Sequence, residues 1–203
     1  IKKQIYKNYE IIVIDGNSSD GTKIEIIKKK KIISKFIIQN DEGIYYAMNK
    51  GIKMCSGKWT IFMNSGDLFY NKNVLCNSFS ENMDNYDVVY GDTLVGAKNL
   101  KYILQSKPFE YNTLAMPFCH QSVFVKSNIL KKRNFSEVYK FSSDFDFFYY
   151  CFLSRKKFQK INHIISKVKA GGLADRNRQM VFNENLTIIR KMGNNNLLYF
   201  LYL

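Results

Sequence analysis

Two short apolar runs, neither broken by a polar residue, lead to aspartate. The run "IIVI" (residues 11–14) meets Asp15-Gly16, and "IFM" (residues 61–63) meets Asn64-Ser65-Gly66-Asp67. A run of this kind suits a strand covered on both faces, as in a parallel sheet between helices. Between them, second in chain order and so making 61–63 the third run, lies "FII" (residues 36–38), followed by Asp41. The separating segments have helical spacing. Residues 22–33 follow the capping candidates Ser18, Ser19 and Asp20. Ile44, Met48, Ile52 and Cys55 fall on one helical stripe, with Gly57 as a stop. Strand, helix, strand, helix, strand predicts an α/β layer built on a parallel sheet, its third strand over residues 60–63.

The second half reads differently. "YDVVYGDTLV" and "LKYILQ" flank "GAKN" as a hairpin. "HQSVFVK" is a short strand, with a helix starting near Ser127 or Asn128. "SSDFDFFYYCFLS" is a buried helix capped by Ser142 or Ser143. "KINHIISKVKAGG" is a strand entering a turn at Gly171-Gly172, and "RQMVFNENLTIIRKMG" an amphipathic helix. The aromatic residues of 145–152 and Trp59 are expected in the core. The 203 residues contain no repeat and no Pro/Gly linker, so they predict one domain, 1–203, with a sizeable core.

Net charge is +14, and Lys supplies most of it. A polyanionic partner is one reading. Arg, the residue suited to reading bases and gripping phosphate in a fork, is scarce, and no RNP-like or helix-turn-helix pattern is present, so no nucleic-acid partner is expected. Cys55, Cys76, Cys119 and Cys151 form no C-x-x-C pair, and His120 and His163 sit at no zinc spacing. Reduced thiols in a cytoplasmic protein are expected. No apolar stretch reaches the ~20 residues that span a bilayer. The short "LLYFLYL" (residues 197–203) reads as a docking helix or strand.

The chemistry lies at the strand ends. In an open parallel sheet, ligands bind beyond the carboxyl ends of the strands. Asp15, Asp41 and Asp67 all follow strands, so three like charges would meet at one crevice. A divalent cation with a bound phosphate would offset that repulsion, and Mg²⁺ or Mn²⁺ suits carboxylate and phosphate oxygens. His120, in "PFCHQSVF", is either a hydrogen-bond donor on the acceptor side or a structural histidine.

Four motifs in order, "YEIIVIDGNSSDGT", "DEGIYYAMNKGI", "GKWTIFMNSGD" and "SSDFDFF", resemble family 2 glycosyltransferases of the GT-A fold. The look-alikes are bacterial enzymes of colanic acid, O-antigen or capsule biosynthesis. The resemblance implies a Rossmann-like, mixed, mostly parallel sheet flanked by helices. It also implies that the first strand, with its base- and ribose-binding motif, is missing, since the chain opens at Ile1 in the tail of the following helix. A chain truly starting there would be a poor enzyme. Residues 1–92 would be the nucleotide-sugar half and 93–203 the acceptor half.

The resemblance further implies an inverting transfer from a nucleoside-diphosphate sugar to a saccharide or lipid-linked acceptor in cell-surface polysaccharide assembly. Ser65-Gly66-Asp67 stands at the family's DxD-type position, with Asp67 as ligand of Mn²⁺ or Mg²⁺ and Gly66 admitting the phosphates. Ser65 replaces the first acid there, which leaves one carboxylate for the metal. Asp15, with Gly16 behind it, corresponds to the nucleotide-binding acid; Asp41 and Asn49 match positions lining the same pocket. Asp144 aligns with the catalytic base, and Asp146 is the second choice. Surface attachment to anionic lipid at the inner face of the plasma membrane would suit a lipid-linked acceptor. Two other readings remain beside this one: a sugar-phosphate nucleotidyltransferase, and an inactive basic binding module.

Overall fold

The first two apolar runs pair as a parallel ladder. A computed structural model describes residues 1–97, 100–110 and 113–192. In it β1 (Ile12–Asp15) lies beside β2 (Lys35–Ile38), with Ile12 opposite Lys35 and Asp15 opposite Ile38. The intervening helix α1 (Thr22–Lys28) stops short of residue 33. Only Ile26 of it is buried, and the lysines at 28–31 set like charges along its final turn. Helix α2 (Ile44–Met54) packs on β1. Its buried set is Tyr45, Met48, Asn49 and Ile52, a face wider than the expected stripe because α2 meets β1 on one side and the second half of the chain on the other.

The third run departs from expectation. Only Trp59–Thr60 forms a strand, β3, and it joins a different sheet, antiparallel to β7 (Val123–Lys126). A slot of about 800 Å³ separates it from β1, lined by Ile12, Ile14, Met48, Trp59, Phe62 and Asn64 among others. Among the described residues, 61–64 carry no strand pairing, and they line that slot. The three-stranded parallel layer is therefore not formed.

The larger sheet has the order β3-β7-β5-β8-β4, with β5 (Val88–Ala97), β8 (Phe158–Lys169) and β4 (Leu68–Phe69), and with β6 (Leu100–Leu104) also on β5. The expected hairpin is the β5–β6 pair. Among the described residues β1–β2 and β5–β8 are parallel, and the other four pairings are antiparallel. The sheet is mixed as expected but not mostly parallel. Of the antiparallel pairings only β5–β6 is a hairpin, the others joining strands far apart in the chain, whereas the parallel β5–β8 pair is reached through a crossover that includes α4 (Ser127–Lys132) and α5 (Ser143–Leu153). A register shift on β8 at Gly91 is permitted because that residue lacks a Cβ, which would lie 2.5 Å from the His163 carbonyl.

The main core gathers around α5, where Phe145, Phe147, Phe148, Tyr149 and Cys151 are all buried. Those aromatics are core, as expected, and Trp59 packs against a second cluster with Phe79 and Phe124. Two further helices, α3 (Val74–Ser78) and α6 (Leu173–Arg176), are short, and α7 (Arg178–Lys191) packs on α5. No helix among the described residues is long and apolar enough to cross a membrane. Residues 197–203 lie outside the described residues.

Candidate active site

The loop after residue 63 is closed by its own aspartate. Asp67 N–H donates to the Asn64 carbonyl (3.0 Å), and Asp67 Oδ2 accepts from Asn64 N–H (3.2 Å). Gly66 takes φ +91°, a left-handed conformation that a side chain would strain. A second donor reaches Asp67 Oδ2 from another element: Gln121 Nε2, at 3.0 Å. Asp67 Oδ1 has no protein partner among the described residues.

Gln121 belongs to a 3₁₀ turn, His120–Ser122, directly before β7. The turn is anchored by Ser122, whose hydroxyl contacts Thr93 Oγ1 (2.6 Å), Ser166 Oγ (2.7 Å) and the Asp92 carbonyl (3.1 Å). It thereby fastens the turn between β5 and β8. Cys119 Sγ donates to Gln121 Oε1 at 2.7 Å, and burial pushes that thiol up to about 11, so it stays a protonated donor.

Residue 120 faces the other way. His120 Nδ1 lies 3.2 Å from Asp144 Oδ2, and its Nε2 lies 3.4 Å from Asn64 Nδ2. Asp144 sits in the first turn of α5, where the helix end favours negative charge. Its Oδ1 accepts from Tyr45 Oη (3.0 Å) and Phe145 N–H (2.9 Å). Burial alone would raise this carboxyl, but His120, then Tyr45 and the Phe145 N–H, outweigh it and hold the pKa below the ordinary aspartate value. Tyr45 is shifted upward by burial and by the Asp144 charge, so its phenol stays protonated. Two consecutive residues, 120 and 121, thus join Asp144 to Asp67.

The remaining expected residues fall elsewhere. Asp15 is buried at the end of β1, and Ser18 engages both of its oxygens (3.0 and 2.6 Å). Asp41 leans over Gly16, where a Cβ would lie 2.8 Å from Asp41 Oδ2, and its Oδ1 accepts from Gly43 N–H. These three residues form one group at the carboxyl ends of β1 and β2. The slot connects that strand pair to the loop: Ile12 and Ile14 line one wall, and Asn64 and Ser65 line the other. Asn49 is not brought there. Its amide clamps Phe135 N–H and C=O (3.0 and 2.9 Å) and Glu137 (3.0 Å). Asp146 is spent on Arg133 at 2.9 Å, and Arg133 in turn stacks over Tyr150.

Sequence reasoning missed Tyr45, Gln121 and Asn64. Tyr45 carries a faint signal, lying four residues from Asn49 on one face of α2. Gln121 carries none, because its partner is 54 residues away.

Among the described residues no three His, Cys, Asp or Glu side chains converge as a metal cluster. One carboxylate with an open oxygen still fits Mg²⁺ or Mn²⁺, which bind through one or two carboxylates together with substrate phosphates.

The family model described as "Glycosyl transferase family 2" matches residues 1–161. The chain belongs to this family. Its membership favours sugar transfer over the nucleotidyltransferase and inactive-module readings. A PGL/p-HBAD biosynthesis glycosyltransferase of Mycobacterium bovis is 26% identical over 203 residues, covering 95% of this chain and 78% of that protein. The Escherichia coli protein WfgD, named a UDP-Glc:alpha-D-GlcNAc-diphosphoundecaprenol beta-1,3-glucosyltransferase, is 26% identical over 168 residues, 68% of this chain and 64% of that protein.

The fold also matches that of S. aureus TarS solved with UDP, at TM-score 0.68 and 19% identity, over 92% of this chain and 57% of TarS. A Pyrobaculum calidifontis mannosyltransferase solved with GDP-Man and Mn²⁺ gives TM-score 0.65 at 13% identity, over 93% of this chain and 56% of that one. This family 2 chain therefore spans little more than half of each of these two solved structures.

Proposed function

We propose that this chain transfers a sugar, with inversion, from a nucleoside-diphosphate sugar to a saccharide or lipid-linked acceptor in cell-surface polysaccharide assembly. The observation that carries the reading is the 120–121 bridge. Gln121 orients the carboxylate suited to a diphosphate-bound cation, and His120 contacts the carboxylate aligned with the family's base. Leaving-group stabilisation and proton removal then act on opposite ends of one in-line displacement.

Asp67 would hold Mn²⁺ or Mg²⁺ through Oδ1, and the bound ion would offset the charge developing on the departing diphosphate. Gly66 leaves the loop backbone open to the phosphates, with Ser65 beside it. Asp15, Gly16 and Asp41 are assigned to the nucleotide, and the Asp144–His120 pair to the acceptor proton. Residues 1–92 then serve the donor and 93–203 the acceptor. A peripheral contact with anionic lipid, favoured by the +14 charge, would bring a lipid-linked acceptor within reach.

The test is Asp67→Asn, assayed by UDP release from UDP-glucose in Mn²⁺. Turnover is expected to fall on the order of 100-fold or more, with the thermal melting curve unchanged. Turnover within a few fold of wild type removes the metal role from Asp67.

A further inference from the structure

Strand β6 stands outside the cover that protects the strand beside it. All five of its residues are exposed. Four of them are large and apolar: Leu100, Tyr102, Ile103 and Leu104 are 63, 46, 51 and 44% exposed. Its inner edge pairs with β5, and among the described residues its outer edge pairs with no strand. Apolar residues scattered singly over a surface need no explanation, but a contiguous run of them marks an interaction surface.

The ladder register fixes which side of the sheet these residues share, because residues directly opposite one another lie on one face. Leu104 is opposite Thr93, and Tyr102 is opposite Val95. Thr93 and Val95 are buried, and Thr93 Oγ1 lies 2.6 Å from Ser122 Oγ in the turn that carries His120 and Gln121. Tyr102 and Leu104, with Leu100 in the same alternation, therefore extend the site-bearing face one strand further, about 4.8 Å beyond β5. Lys101 and Ile103 lie on the other face, so apolar groups flank this edge on both sides.

The charge around the edge has one sign. Residues 93–109 hold three lysines and no acid, and residues 158–174 hold three more and no acid. Lys101 and Lys169 both lie opposite Gly96, and neither joins an ion pair among the described residues. On α1, where Ile24 and Ile27 are also exposed, Glu25 already pairs with Lys28 and Lys29. An apolar edge rimmed by unpaired lysines complements an anionic lipid surface, where apolar side chains enter the headgroup boundary and lysines meet phosphate. A second copy of the chain fits worse. Edge-to-edge pairing would bring two acid-free, lysine-bearing strands together, and a lysine on an edge strand opposes such pairing.

We propose that β6 is a membrane-docking edge: Leu100, Tyr102, Ile103 and Leu104 enter the headgroup region of an anionic bilayer, and Lys101 and Lys169 meet its phosphates. The proposal rests on the transfer reading above, since it names the surface that presents a lipid-linked acceptor. The lipid end of that acceptor lies at β6, and its sugar reaches inward across β5 to the His120–Gln121 turn on the same face.

The experiment is flotation of the full chain with phosphatidylglycerol vesicles and with phosphatidylcholine vesicles. Wild type is expected to float with the first and not with the second, and to leave the anionic vesicles as salt rises. Leu100→Ser/Tyr102→Ser/Leu104→Ser is expected to lower the partition about tenfold or more. Lys101→Gln/Lys169→Gln is expected to lower it roughly fivefold per lysine. Ile24→Ser on α1 is expected to leave it unchanged. Every changed side chain is exposed, so the melting curves are expected to match wild type. Tyr102→Trp supplies a readout that does not depend on removing the patch. Its emission, read against wild type with Trp59 alone, is expected to shift to the blue when phosphatidylglycerol vesicles are added.

Equal flotation with phosphatidylcholine overturns the proposal, as does a wild-type partition in either multiple variant or an unshifted Tyr102→Trp spectrum. A wild-type dimer in sedimentation that the serine variant dissociates also overturns it, because a second copy then takes the edge. UDP or GDP release from UDP-glucose, UDP-GlcNAc and GDP-mannose, measured in Mn²⁺ without vesicles, is expected to be equal in wild type and both multiple variants. Wild type that floats but releases nothing from any donor sinks the transfer reading and leaves β6 as a lipid-binding edge. Wild type that turns over but does not float sinks only the docking edge.

Discussion

The β1–β2 pair and the α5 region contrast in how they are held. In β1 and β2 only Asp15 is buried, and α1 contributes Ile26 alone. In α5, seven of eleven residues are buried and aromatic rings meet from several elements. The first region displays its chemistry on short loops fixed by local hydrogen bonds, as Asp15 does with Ser18. The second fixes its chemistry by packing, so that Asp144 stands where a dense core and a distant turn converge. Local signals survive in sequence; convergence does not.

Stability measurements can break this contrast. Phe147→Ala in the α5 core is expected to cost about 3–5 kcal/mol by urea denaturation, the range for emptying a buried aromatic site. A cost below about 1 kcal/mol would mean the core is not the rigid half. Glu184→Gln comes next. From α7 this carboxylate accepts from the Lys140, Phe141 and Ser142 N–H groups (3.0, 2.9 and 2.9 Å) just before α5, where no side chain of α5's own caps the helix. A loss of about 2 kcal/mol is expected, together with a fall in kcat because Asp144 lies two residues further on.

In the first half, Glu10 accepts from the Ser56 and Gly57 N–H groups and the Ser56 hydroxyl, and pairs with Lys35 at 3.2 Å. Burial would raise its pKa, but these partners outweigh it and lower the value from 4.5 to about 2. A depressed carboxyl stabilises the fold above its unfolded pKa. Glu10 therefore supplies stability above pH 4.5 that is lost as pH falls toward 2. Its partial exposure limits this to about 1 kcal/mol. Glu10→Gln should flatten that part of the stability–pH curve, and an unaltered curve would remove the clamp. The smallest effect is expected for Ile27→Ala on α1, where the side chain is 54% exposed: within about 0.5 kcal/mol. A larger loss would show that the thin half is better packed than its burial indicates.

Much of this fold is legible from pattern alone. The unbroken run before Asp15 gives β1, and a parallel β2 follows from its twin. The hairpin of β5 and β6 and the buried α5 are equally plain, since periodicity and apolar continuity are local properties. The third run misled for a physical reason. Its composition suits a central strand, but pairing is a property of two backbones, and residues 61–64 face a slot instead of a neighbour. Asn49 and Asp146 misled similarly. Each sits within a motif, yet each is engaged by a partner on another segment, Phe135 for one and Arg133 for the other.

By itself the sequence determined the alternation of elements, the burial of α5 and the acids at the ends of β1, β2 and the 64–67 loop. Each of these follows from the chemistry of neighbouring residues. Only the tertiary structure decided that consecutive residues His120 and Gln121 face two different aspartates, that Tyr45 supports one of them, and that Glu184 caps a helix from 42 residues away. The His120 and Gln121 contacts depend on where Ser122 fastens their turn between β5 and β8. No spacing rule along the chain encodes the distance between two points that only folding brings together.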